Sequence, residues 1–149
     1  FSDIPMKLSF TEWGGPEVFL SHIFAAECLK RAIEIKIITL DDIHFSVDNI
    51  VWEKLNNSQD DKIKNFLDMT KNSKDLFYLS DKSSCDYCVR TKFRGIDPWV
   101  KLEDNNFNRL SEIDLEYNKR FKTCINQAKL GWHIKFKSKN IKDIFENIK

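Results

Sequence analysis

An α+β fold follows from three features of this sequence. Residues 17–34 are apolar at nearly every helical position. Phe107, Leu110, Ile113, Tyr117, Phe121, Cys124 and Ala128 recur at steps of three or four. Two short runs, 87–94 and 132–138, alternate apolar with cationic side chains. Helix-period and strand-period segments are mixed without strict alternation. That predicts one globular α+β domain over residues 1–149, a mixed sheet with helices packed on it.

In chain order, Met6, Leu8 and Phe10 alternate with Lys7 and Ser9, the period of a half-buried strand. The WGGP stretch ending at Pro16 breaks that run, and proline, with φ already fixed, suits a first helical position. The following helix carries Phe19, Leu20, Ile23, Phe24, Leu29 and Ile33 around its circumference, as a deeply buried helix does. Ile35 to Leu40 is short and β-branched and reads as a central strand. Asp48 is placed to cap a short helix through Val51, Trp52 and Leu55, and Asp61 a second with Ile63, Phe66 and Leu67. Leu76–Leu79 and Tyr87–Phe93 read as strands joined by a polar turn. The stripe from Phe107 predicts a long amphipathic helix near residues 106–130, stopped by Gly131. Trp132 onward alternates as a strand, and Asn140 is placed to cap a last helix with Ile141, Ile144, Phe145 and Ile148.

Composition narrows the class. A hydrophobic share of 42%, with 12 Phe and 4 Trp, supports a packed core, and 4 Gly with 3 Pro leave little room for linkers. No apolar run reaches the roughly 18–20 residues of a membrane span. The N-terminus lacks the order of a signal peptide. Four irregularly spaced cysteines argue for reduced thiols over a disulfide framework. The expectation is an intracellular protein, cytoplasmic or nuclear, with no membrane partner. Net charge is +1, unevenly placed: residues 1–83 hold 10 basic and 14 acidic side chains, and residues 84–149 hold 14 and 9. Such asymmetry points to an anionic partner for the second half.

Cys85 and Cys88 form a C-x-x-C pair, half of a zinc site. The other possible ligands are Cys28, Cys124, His22, His44 and His133, but no second pair at ligand spacing exists. Cys28 and Cys124 lie on apolar helix faces, where cysteine acts as a small hydrophobe. The expectation is no metal and no cofactor. The H-x-E and P-C-x-x-C of a zinc deaminase are missing, as are Walker, G-x-G-x-x-G and G-x-S-x-G motifs. Asp41, Asp42 and His44 are the remaining catalytic candidates, and acidic pairs of this kind are more often helix caps. An enzyme ranks last, and no catalytic residue is assigned.

The alternating runs carry the stronger signal. On a strand, Arg90, Lys92 and Arg94 point to one side, and His133, Lys135 and Lys137 do the same near the C-terminus, with Lys139 continuing the row. Two such strands in one sheet make a cationic face for nucleic acid or another polyanion, with Trp99 or Tyr87 available to stack on bases. Lysine on an edge strand is also a common guard against aggregation. The expected function is a non-catalytic binding domain with this anionic-ligand surface. The alternative is a protein–protein interaction module or subunit of a complex, which an aromatic-rich chain without a catalytic constellation also fits.

Overall fold

The computed structural model describes Ile4, Met6, Leu8, Ser9 and residues 12–148. The class is α+β: seven α-helices lie among these residues, with two small antiparallel sheets. In chain order the helices are α1 (Pro16–Glu34), α2 (Leu40–Phe45), α3 (Asp48–Asn56), α4 (Asp61–Lys71), α5 (Leu110–Ile113), α6 (Leu115–Leu130) and α7 (Lys139–Ile148). The strands are β1 (Phe77–Leu79), β2 (Tyr87–Val89), β3 (Trp99–Lys101), β4 (Phe107–Arg109) and β5 (Trp132–Phe136). One sheet has the order β1-β5-β2, and the other is the β3–β4 hairpin. The chain groups into two compact units, Phe1–Val18 with Leu79–Lys135, and Phe19–Tyr78 with Phe136–Lys149.

In the second of these units, α1 buries Leu20, Phe24, Cys28 and Ala32. The spacing of four stacks them on one side, while His22, Ala26 and Lys30 are exposed. The helix is therefore one-sided, and the all-round burial expected from its composition is corrected. Cys28 and Ala32 pack with Ile38, Leu55, Ile63 and Leu67, and the Phe24 ring lies 6.5 Å from that of Phe66. Residues 35–40 form no strand. The N–H groups of Ile37 and Ile38 donate back to the Ala32 carbonyl, with Lys36 left-handed at φ 61°. The β-branched residues thus close the end of α1 and drop Ile38 into the core.

The caps sit beside the expected residues. Val47 precedes α3 without a side-chain cap bond, and Asp48 is its first helical residue. Asp60, not Asp61, caps α4 by accepting from the Ile63 N–H at 3.0 Å. Ser138, not Asn140, accepts from Ile141 at the start of α7. Phe145 of α7 is buried, its ring 5.1 Å from that of Phe136.

In the other unit, β2 and β5 pair antiparallel with Tyr87 opposite Ile134, Cys88 opposite His133 and Val89 opposite Trp132. Helix α6 turns into β5 at Gly131, whose φ is +77°. A Cβ there would lie 2.6 Å from the Val89 carbonyl oxygen, so glycine is required twice over. The long helix begins at Leu115, about nine residues later than its stripe predicts. Phe107–Arg109 are taken by the hairpin, α5 is a single turn, and the Asp114 carboxylate restarts the helix by accepting from Tyr117 N–H. From Tyr117 onward the stripe is the inward one, with the Tyr117 and Phe121 rings 5.8 Å apart. The N-terminal strand is also corrected. Ile4, Met6, Leu8 and Ser9 have helical backbone, and Met6 and Ser9, three apart, are both buried. Lys7 and Phe10 lie outside the described residues.

Asp60 joins two jobs in the second unit. Besides capping α4 it accepts from Arg31 of α1 at 2.8 and 3.3 Å. The Arg31 hydrogen bond, then the Ile63 N–H, hold its carboxyl below the ordinary carboxylate range. Its folded pKa is lower than its unfolded one, so its stabilisation is present at neutral pH and lost as pH falls below about 4 through the folded value. Urea unfolding should find Asp60→Asn less stable than the parent at neutral pH, with the gap narrowing as pH falls below about 4. A gap that keeps its size as pH falls would mean that the ionised carboxylate contributes nothing.

Candidate functional site

The seven predicted anion-binding residues are divided by the fold. Arg90, Lys92, Arg94, His133 and Lys135 belong to one unit, and Lys137 and Lys139 to the other. His133 is half-buried and the other six are exposed. The strand that was to carry Arg90, Lys92 and Arg94 stops at Val89. Its partner β5 begins at Trp132, so the register leaves nothing for Arg90 to pair with except Gly131. Beyond that point the backbone is held by the N-terminal segment: Thr91 Oγ1 donates to the Gly14 carbonyl at 2.9 Å and the Arg94 N–H to Ser9 Oγ at 2.8 Å. Alternation survives without the sheet, since Thr91 and Phe93 are half-buried between the exposed cations.

Within the paired strands the face opposite the core holds Cys88, His133 and Lys135, and the same register sets Asp86 across from Lys135. Lys137 lies beyond the strand, its Nζ 5.0 Å from the centre of the Tyr78 ring. Lys139 is the first residue of α7 and not a strand residue. The continuous cationic sheet face is therefore corrected to an irregular cationic segment, 90–94, and a short strand with one cation and one facing carboxylate. Regrouped by fold, one unit carries 12 basic and 11 acidic side chains and the other 12 and 12. The asymmetry between the sequence halves is a property of segments and does not survive folding.

The C-x-x-C pair is split. Cys85 Sγ lies 3.4 Å from the Lys82 carbonyl and Cys88 Sγ 3.5 Å from that of Leu130. All four cysteines are free thiols. Among the described residues no group of three or more His, Cys, Asp or Glu is placed to hold a metal ion. Asp41, Asp42 and His44 lie on α2. Asp42 closes a capping box with Thr39 and accepts from Lys54 Nζ at 2.7 Å. The Lys54 bond, then the Thr39 N–H, lower its pKa.

A surface that sequence reasoning passed over lies on this same stretch. Leu40, Ile43, Phe45, Val47, Ile50 and Trp52 are all exposed, Phe45 by 85% and Val47 by 63%. No residue of α2 is buried. Beside them a groove of about 240 Å³ is floored by Ala25, Cys28 and Leu29 of α1 and walled by Ile43, Val51 and Trp52. Of the exposed carboxylates here, Asp48 lines this groove, whereas Asp41 lies with Lys36 and Glu53 with Lys54 along neighbouring depressions. The signal available in the sequence is a run of seven large apolar residues in thirteen positions that fits no single helix stripe.

Trp99 and Tyr87, the expected stacking residues, differ: Trp99 is 59% exposed on the hairpin and Tyr87 is half-buried. No protein-family model, curated protein or solved structure matches the chain. No described helix is long and apolar enough to cross a membrane.

Cys28 is the buried thiol beneath the groove floor. Burial pushes its pKa up to about 11, and its Sγ points at the Ile63 carbonyl, 3.9 Å away. The thiolate is the reactive form, so at neutral pH Cys28 should be the last of the four to react with a disulfide reagent, and only on unfolding. Mass mapping of the labelled sites checks this. Early labelling of Cys28 in native protein would mean that the groove opens to its floor.

Proposed function

We propose that the chain is a non-catalytic interaction module that receives a basic, apolar segment of a partner protein against α1, α2 and α3. The observation that carries this is a groove lined by the exposed side chains of Ile43, Val47 and Trp52, with Leu40, Phe45 and Ile50 also exposed on the same stretch of chain. Large contiguous apolar surface is scarce on soluble monomers and concentrates where partners bind. Covering all six would remove on the order of 10 kcal/mol of unfavourable hydration, against an association cost of about 4–15 kcal/mol, so at most about 6 kcal/mol remains, a dissociation constant of tens of micromolar or weaker. The exposed Asp48 carboxylate at the groove selects a lysine or arginine flank on the incoming segment, and a helix laying its apolar side into a groove is the recognition mode that fits.

The test uses a designed amphipathic helix with leucine and phenylalanine on one side and lysine on the other, beside a glutamate analogue of the same pattern. The lysine peptide should bind and change Trp52 fluorescence, isolated by comparison with Trp52→Phe. Phe45→Asp with Val47→Asp should abolish binding while folding changes by only about 0.5 kcal/mol, as exposed positions allow. Equal affinity for both peptides would remove the charge argument, and no binding of either would remove the proposal.

A second reading is polyanion binding within one unit, through Arg90, Lys92, Arg94 and Lys135 with His133. It is favoured by the exposure of the four cations and by the alternation that keeps Arg90, Lys92 and Arg94 in solvent. Retention on heparin should fall with salt, and Arg90→Glu with Lys92→Glu should flatten the salt dependence by about one unit of slope per lost phosphate contact. A parent protein that passes through the column at low salt would end this reading.

A further inference from the structure

We infer that one side of the β3–β4 hairpin is a stacking platform for single-stranded nucleic acid. In this hairpin Trp99 pairs with Arg109 and Lys101 with Phe107. Side chains two apart on a strand, and directly opposite residues across an antiparallel pair, project to the same side. Trp99, Lys101, Phe107 and Arg109 therefore share one face, with the aromatics on one diagonal and the cations on the other. The Arg109 guanidinium carbon, 4.1 Å from the centre of the Trp99 ring, fits this shared side and covers one face of the ring, so a base would stack on the other. Val100 and Asn108, both half-buried, take the opposite face.

Trp99 and Phe107 are each 59% exposed. A two-stranded hairpin with strands this short has little stability of its own, so two large exposed aromatics are not explained by core packing. The base of the hairpin is instead fixed by polar bonds. Arg109 donates to the Asp97 carbonyl at 2.6 Å, the Asp97 carboxylate accepts from Ser111 N–H and Oγ, and the Leu110 N–H donates to the Pro98 carbonyl. The turn is closed by the Asp104 carboxylate accepting from Asn106 N–H and Nδ2, with Asn105 left-handed at φ 65°. The aromatic face is thus pre-shaped.

Alternating rings and cations match one ligand chemistry. A base stacks on an aromatic ring whatever its identity, and the phosphate beside it meets a lysine or arginine. A duplex keeps its bases stacked on one another and offers none to the rings. Glu103 and Asp104 stand at the tip of the hairpin and repel phosphate, so the strand crosses the hairpin at Lys101 and Arg109 and does not run over its end. The inference rests on the polyanion reading for its class of ligand, and it adds the single-stranded form and a different set of residues.

The experiment is fluorescence titration with oligodeoxythymidylate, with a duplex of equal length and with heparin. The parent should bind the single strand more tightly than the duplex, with quenching that disappears in Trp99→Leu. Trp99→Leu and Phe107→Leu keep apolar bulk on the hairpin and remove the ring. Each should weaken single-strand binding by roughly 5- to 150-fold, the range set by loss of one stacked base. Circular dichroism and thermal melting report whether either variant remains folded, and Trp99→Phe should restore most of the affinity if stacking is the interaction. Equal binding of single strand, duplex and heparin, lost only in Arg90→Glu with Lys92→Glu, would overturn the hairpin inference and leave the polyanion reading standing. Absence of binding to all three probes at low salt would overturn both.

Discussion

Helix α1 tapers, and its unit is arranged around that taper. Its buried side runs from Leu20 and Phe24 to Cys28 and Ala32. At the large end the Phe24 ring meets Phe66 of α4, and at the small end the thiol of Cys28 comes within 3.9 Å of the Ile63 carbonyl. Such an approach between a side chain and a neighbouring helix backbone tolerates nothing much larger than cysteine or alanine. Arg31 and Asp60 then tie the two helices together at that same end. The apolar width of α1 exceeds what is fully covered: Ala25 and Leu29, beside the buried row, become the floor of the groove. Core and proposed docking surface are adjacent strips of one helix.

What was legible in the sequence follows from how local each cause is. The α+β class, the start of α1 at Pro16 and the stop at Gly131 rest on backbone chemistry within a few residues, and they are where the pattern puts them. The caps fell one or two positions away because neighbouring polar residues can do the same job. Asp60 and Asp61, or Ser138 and Asn140, differ only in which geometry the packed helix presents. The stretch 35–40 has strand composition, but it follows a helix with unsatisfied carbonyls, and those claim its N–H groups.

The candidate surfaces were less legible for a different reason. Alternation at 90–94 predicted which side chains face solvent and yet not a strand, because a strand also needs a partner backbone, and β5 ends that possibility at Trp132. Leu40, Phe45 and Val47 look like core residues in any window, and their exposure is decided by elements elsewhere in the chain. Charge behaves likewise. Lys137 and Lys139 sit in the basic half of the sequence but fold into the unit built mainly from the acidic half. With both units close to neutral, any electrostatic recognition is the work of small local groups and not of a long-range field.

The second unit is assembled from the two ends of a long detour. Its helices α1 to α4 are made before the whole of Leu79–Lys135, and α7, whose Ile144 and Ile148 line a cleft with Phe66, is made after it. On a ribosome adding about 5–20 residues per second, the earlier helices wait roughly 3–10 s for their last partner. Through that interval the nascent chain carries an incomplete apolar core, while the other unit is being synthesised in between. Vectorial synthesis therefore works against this topology, because the core of this unit stays open until Phe145 arrives.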